Sequence, residues 1–223
     1  MEHSRLSNYE HALDLLRMRL NEMFASSLEA FKSSMESLEN SDVDLAKEVI
    51  NSDDKIDLLK REIEELVYEI LTRFQPLASD LRRVIMAMKI AGELERVADQ
   101  AVNIAQVTEF LKGKKLIKPL VDIPKMAQIA TDMMARSMRA YFDEDVELAK
   151  QVWLVDDQVD ELDRLIVDDI EEVIKKYPTD EVIKQSERII LVSRAIERIA
   201  DHATNICEET VYMLLGKELF SLL

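Results

Sequence analysis

Glu95-Arg96-Val97-Ala98-Asp99-Gln100-Ala101-Val102-Asn103-Ile104 occurs a second time as Glu197-Arg198-Ile199-Ala200-Asp201-His202-Ala203-Thr204-Asn205-Ile206. Seven of the ten positions are identical at one offset, 197 − 95 = 102. Each copy carries Glu, Asp and Asn at i, i+4 and i+8. On an α-helix that spacing aligns three oxygen-bearing side chains along one face. Outward from this core the repeat continues. Asp42-Val43-Asp44-Leu45-Ala46-Lys47-Glu48-Val49 matches Asp145-Val146-Glu147-Leu148-Ala149-Lys150-Gln151-Val152, with 145 − 42 = 103. Asp53-Asp54-Lys55-Ile56-Asp57 matches Asp156-Asp157-Gln158-Val159-Asp160 at the same offset. A period of about 100 residues far exceeds the 20–50 of solenoid repeats and indicates a duplicated subdomain.

Composition sets the class. With 3 Gly and 4 Pro in 223 residues and 5% aromatics, the chain lacks the punctuation and β-rich runs that strands need. Good helix formers dominate, so the expectation is all-α. The net charge of −16 opposes binding to nucleic acid or to anionic lipid headgroups and favours cations or basic protein surfaces. Cys207 is the single cysteine, consistent with a reducing, cytoplasmic setting. No run approaches a membrane span, and Met1 to Asn8 lacks an apolar signal core, so any membrane role is expected to come through partners.

Breakers divide each copy into three helices. The first is expected from about Asn8 to Leu38. Ser41 with Asp44 reads as a capping box opening the second, which ends near Phe74 before Pro76. Ser79 or Asp80 is expected to cap the third, which stops at Gly113. The second copy gives helices near 122–142, 145–176 and 180–215, the last capped by Thr179. In the third helix Leu81, Val84, Ile85, Met88, Ala91, Leu94, Ala98, Ala101 and Ala105 follow i, i+3, i+4 steps. Short connections give antiparallel neighbours. The expected architecture is two tandem antiparallel three-helix bundles, six helices in an elongated molecule, with repeat 1 at residues 1–115 and repeat 2 at 116–223.

On a helical wheel Glu95, Asp99 and Asn103 centre roughly 140° from the apolar stripe of their helix, and Asp53 and Asp57 roughly 105° from theirs. Two such rows can converge on one exposed groove. The second copy would pair Asp156 and Asp160 with Glu197, Asp201 and Asn205. Like charges at i, i+4 repel by a few tenths of a kcal/mol each, roughly, and a multivalent cation would reverse the sign. Carboxylate and amide oxygens suit hard or borderline metals such as Mg, Mn and Fe. The competing reading is a solvated acidic face, with Arg96 and Arg198 as intrahelical partners.

Other motifs carry less. His202 has Gln100 as its counterpart and stands outside a duplicated site; His3 and His11 lie near the terminus. There is no Glu-x-x-His pair for a di-iron bundle, no zinc-protease motif, no Gly-rich phosphate loop and no nucleophile elbow. Met86, Met88, Met133, Met134 and Met138 read as core filler, Trp153 as an interhelix anchor and Cys207 as a small buried residue.

Glu95-Arg96-Val97-Ala98-Asp99 and Glu197-Arg198-Ile199-Ala200-Asp201 resemble the duplicated Glu-Arg-Ile-Gly-Asp signature of the PhoU family. Gln75-Pro76-Leu77-Ala78-Ser79-Asp80-Leu81-Arg82 resembles that family's approach to its third helix, and Asn205-Ile206-Cys207-Glu208 its last-helix continuation. The resemblance covers the chain in order. It implies two three-helix bundles and a non-enzymatic negative regulator of phosphate uptake and signalling. It also implies contacts with the ATPase subunit of a phosphate ABC transporter and with a sensor histidine kinase at the cytoplasmic face; a homodimer is left open. Finally, it implies multinuclear metal clusters, iron first with Mn, Mg, Zn or Ni as alternatives. Carried over by position, the ligands are Asp53, Asp57, Glu95 and Asp99, then Asp156, Asp160, Glu197 and Asp201, with Asn103 and Asn205 extending the line. Two departures stand out: Ala98 and Ala200 replace the signature glycine, and the Gln-Pro…Asp-Leu-Arg segment becomes Tyr177-Pro178-Thr179-Asp180 in the second copy. A metal-free helical scaffold and a metal-dependent phosphohydrolase are the competing functional classes; the latter lacks an evident buried acid or base.

Overall fold

The computed structural model describes the backbone of residues 2–222 and the side chains of 7–222, so the His3 side chain lies outside the described residues. Seven α-helices follow in order: α1 (Glu2–Asn40), α2 (Val43–Phe74), α3 (Ser79–Leu111), α4 (Asp122–Asp143), α5 (Val146–Trp153), α6 (Asp156–Lys176) and α7 (Asp180–Leu215), then a 3₁₀ turn at Leu219–Leu222. No strand occurs among the described residues, and no helix is long and apolar enough to cross a membrane. Repeat 1 supplies α1–α3. Repeat 2 supplies α4–α7, because its middle helix is broken.

The first turn of each repeat is built the same way. Ser41 and Glu144 take left-handed φ values of 56° and 57°. Asp42 N and Asp145 N then reach back to Ser37 O (2.8 Å) and Ala140 O (2.9 Å), which closes the preceding helix. The expected Ser41 cap is therefore corrected: Ser41 ends α1, and Asp42 caps α2, its Oδ1 accepting from Asp44 N and Leu45 N at 3.1 and 3.0 Å. Asp145 does the same for Leu148 N at 2.9 Å. Neither Ser79 nor Asp80 caps α3. The N-cap is Ala78, at φ 50° and with no side-chain cap, while Asp80 sits in the first turn where the helix dipole favours a negative charge. Thr179 caps α7 as expected, accepting from Val182 N. The span expected as one helix over 145–176 divides at Leu154-Val155. There Val155 N bonds Val152 O and Gln158 N bonds Val155 O, a locally tighter i→i−3 winding. The indole of Trp153 donates to Glu208 on α7 across this break.

The buried residues form one continuous cluster spanning both repeats. α3 and α7 are its axis: α3 packs on α1, α2 and α7, while α7 packs on α3, α4, α5 and α6. This explains why the apolar set on α3 is wider than one stripe. Met86, Ala87, Ile90, Val97, Ile104 and Val107 are buried beside the expected positions, whereas Leu81 at the helix start is 38% exposed. Ala98 and Ala200 are 1% and 0% exposed, so the methyl that replaces the signature glycine is absorbed into the core. Met133, Met134 and Met138 are fully buried filler. Two repeat-related buried hydroxyls are returned to the preceding turn: Ser34 Oγ bonds Phe31 O (2.7 Å), and its partner Ser137 bonds Met134 O (3.0 Å).

Candidate functional site: two acidic rows between helices

The buried seam of α2 on α3 holds Asp53, Asp57, Glu95 and Asp99 at its margin. The four carboxylates feel one another. Burial raises the Asp53 pKa first, and the charges of Asp99, Asp57, Asp54 and Glu95 raise it further. Asp99 is raised by burial, then by Glu95 and Asp57, with Lys60 and His202 opposing. One oxygen of Asp53, Oδ1, is buried with no hydrogen-bond partner. Such an orphaned acceptor costs free energy unless a cation or donor supplies the missing contact.

Repeat 2 brings α6 against α7 in the same way. The Asp156 carboxyl is pushed up to about 6 by burial and by Asp201, Asp160, Asp157 and Glu197. Burial also raises Glu197 and Asp201; Asp201 and Asp163 act on the first, and Asp160 on the second. The donor set of each row is hard oxygen with too much negative charge, which fits a multivalent cation of the Mg, Mn or Fe kind. Among the described residues, however, no three His, Cys, Asp or Glu side chains already converge as a coordination sphere. A cation would have to draw the carboxylates inward by side-chain rotation.

The asparagines part company from the carboxylates. Asn103 is exposed and donates to Gln100 Oε1 at 3.3 Å. Asn205 turns toward α3 and donates to Glu93 Oε2 at 2.9 Å, where His202 Nδ1 also lies at 2.8 Å. Glu93 was not singled out from sequence. Its neighbours are partly buried between α3 and α7, and hydrogen bonds from His202 and Asn205 outweigh its burial, so its pKa falls. An ionised carboxylate only accepts, which makes His202 Nδ1 the donor. The signal for this network was the asymmetry itself: 195 − 93 = 102, and Ala195 stands where repeat 1 has Glu93.

Two more residues distinguish the rows. Lys60 Nζ lies 3.1 Å from Glu95 Oε1. Its repeat partner, at 163 − 60 = 103, is Asp163. Asp163 is 2% exposed, accepts from Ser193 Oγ at 2.8 Å and pairs with Arg194 at 2.7 Å.

Each row falls within one copy of a known domain. The PhoU domain model matches residues 20–108 and again 123–210. The chain belongs to the PhoU family. It is 34% identical over 95% of its length to "Phosphate-specific transport system accessory protein PhoU homolog 1" of Thermotoga maritima, covering 91% of that protein. It is 37% identical over 85% of its length to the homologue of Aquifex aeolicus, again covering 85% of it. The crystal structure of PhoU from Pseudomonas aeruginosa superposes with a TM-score of 0.89 over 94% of this chain and 100% of that one, at 28% identity. The phosphate transport system regulatory protein PhoU from Streptococcus pneumoniae gives 0.87 at 25% identity, covering 94% and 98% of the two chains. Glu95–Asp99 lies in the first matched span and Glu197–Asp201 in the second, with α2 and α6 supplying the carboxylates across each seam.

Proposed function

We propose that this PhoU-family chain is a non-enzymatic negative regulator of phosphate uptake and phosphate signalling. It acts in the cytoplasm by contacting the ATPase subunit of a phosphate ABC transporter and a sensor histidine kinase. The observation that carries the reading is the two-copy family match over residues 20–108 and 123–210; the facing acidic rows add a reason for metal. In this reading Asp53, Asp57, Glu95 and Asp99 hold one multinuclear cluster, iron by preference, and Asp156, Asp160, Glu197 and Asp201 hold another. The metal would supply positive charge that cancels carboxylate repulsion and holds each bundle in one shape. Asn103 and Asn205 contribute only if their present hydrogen bonds are exchanged. The partner contacts are tested by pull-down of the full chain with purified ATPase subunit, with and without phosphate; absence of binding in both conditions sinks them. Metal content of wild type against Glu95→Gln/Asp99→Asn tests the rows: the variant should lose the repeat-1 share, and equal content would reject the assignment.

One observation favours a metal-free scaffold. Lys60 at Glu95 and Arg194 at Asp163 already place protein cations beside both rows. That reading expects added Mn or Fe to leave the melting temperature unchanged, since only a ligand preferring the folded state raises it.

A further inference from the structure

The two repeats also differ between their first two helices, a seam separate from the α2–α3 and α6–α7 seams that carry the acidic rows. Between α1 and α2 runs an open groove with about 710 Å³ of space, extending from Glu22 to Ser33 on α1 and from Leu45 to Ile56 on α2. Eleven helical steps on α1 make it roughly 16 Å long. Its floor is Ala30, Val49 and Ile56, which belong to the core, and its walls are the small side chains Ser26, Ser33 and Ser52. At the equivalent positions of repeat 2, offset by 103, stand Ile129, Met133, Arg136 and Val155 in place of Ser26, Ala30, Ser33 and Ser52. Ile129 and Val155 pack onto the core there, Met133 is fully buried, and Arg136 donates to Gln151 at 3.3 Å. One ancestral surface is therefore filled by the chain's own side chains in repeat 2 and hollow in repeat 1.

The lining has a charge. Glu22, Glu29 and Glu48 face it against Lys55 alone. Glu22 is held by Arg19 at 2.9 Å, but Glu29 and Glu48 have no ion-pair partner among the described residues. Small walls, an apolar floor and free carboxylates at the rim are what an amphipathic helix needs to pack closely with basic residues along its flanks. A second copy of this chain, at net charge −16, is electrostatically the wrong occupant.

We propose that the α1/α2 groove of repeat 1 is a docking site for a basic amphipathic helix of a partner protein, seated as a fourth helix on that bundle. The probe is a labelled amphipathic peptide about four turns long, with Leu and Ala on one face and Lys on both flanks, and a twin carrying Glu for Lys. Anisotropy with the full chain should show the Lys peptide binding at least about tenfold more tightly than its twin. Ser26→Ile/Ser33→Arg, which imports the repeat-2 side chains, should weaken that binding at least about tenfold. Glu29→Gln/Glu48→Gln, on exposed positions that leave the core untouched, should weaken it in the same direction. Undiminished binding to the filled variant, or no binding of the Lys peptide to wild type, overturns the proposal. Self-association of the chain that Ser26→Ile/Ser33→Arg abolishes also overturns it and assigns the groove to a second copy.

Discussion

Asp156 carries the largest perturbation among the candidate ligands, and its sign sets a pH trend. A carboxyl raised from 3.8 to about 6 binds its proton more tightly folded than unfolded. The resulting stability is fully present below the unfolded pKa and is lost as pH rises through about 6. In chelator, the protein should therefore be more stable at pH 5 than at pH 7.5. Discounted for partial exposure, the effect is roughly 1 kcal/mol, or about 2–4 °C in melting temperature. Asp156→Asn should raise the pH 7.5 value and flatten the trend; an unchanged slope would reject the burial argument. The reverse trend is expected with metal bound, because a ligand carboxylate must give up its proton first. That these carboxylates gather at two helix seams was legible from the repeat alone. Lys60 and Asp163 were not, because their effect depends on which neighbour each side chain reaches across the helix seam.

At the scale of the element, the turn opening each second helix shows what pattern reading captures and what it loses. The region was identifiable from Ser, Asp and the repeat, but the capping residue was misplaced by one, since Ser41 and Asp42 are both plausible caps. The left-handed φ at residue 41 decides between them, and it is set by how α1 closes onto Ser37. Thr179 is unambiguous in both sequence and structure. Thr179→Ala should cost about 1 kcal/mol by removing the acceptor for Val182 N, lowering the melting temperature by about 2–4 °C with unchanged helix content. The break between α5 and α6 left no proline or glycine to announce it. It arises from local winding at Leu154-Val155, where Trp153 reaches across to Glu208.

At the scale of the whole molecule, a core that crosses the duplication is expected to make the two repeats unfold as one cooperative unit. Thermal unfolding should give a single transition whose calorimetric and van't Hoff enthalpies agree, and two resolved transitions would contradict a shared core. Leu94→Ala, at a fully buried position on the axial helix, should cost about 2–5 kcal/mol and shift that single transition without splitting it. By itself the sequence determined the all-α class, the duplication and the four carboxylates of each row, because composition, breaker positions and helical periodicity are local properties of a chain. Only the tertiary structure decided that α3 and α7 pair into a common axis, that Asn205 joins Glu93 and His202 while Asn103 stays at the surface, and that the groove is hollow in repeat 1 but filled in repeat 2. The first two outcomes depend on contacts between residues about 100 positions apart and the third on side chains facing each other across neighbouring helices; in each case the identity and size of the facing side chain, invisible to any local pattern, settle the geometry.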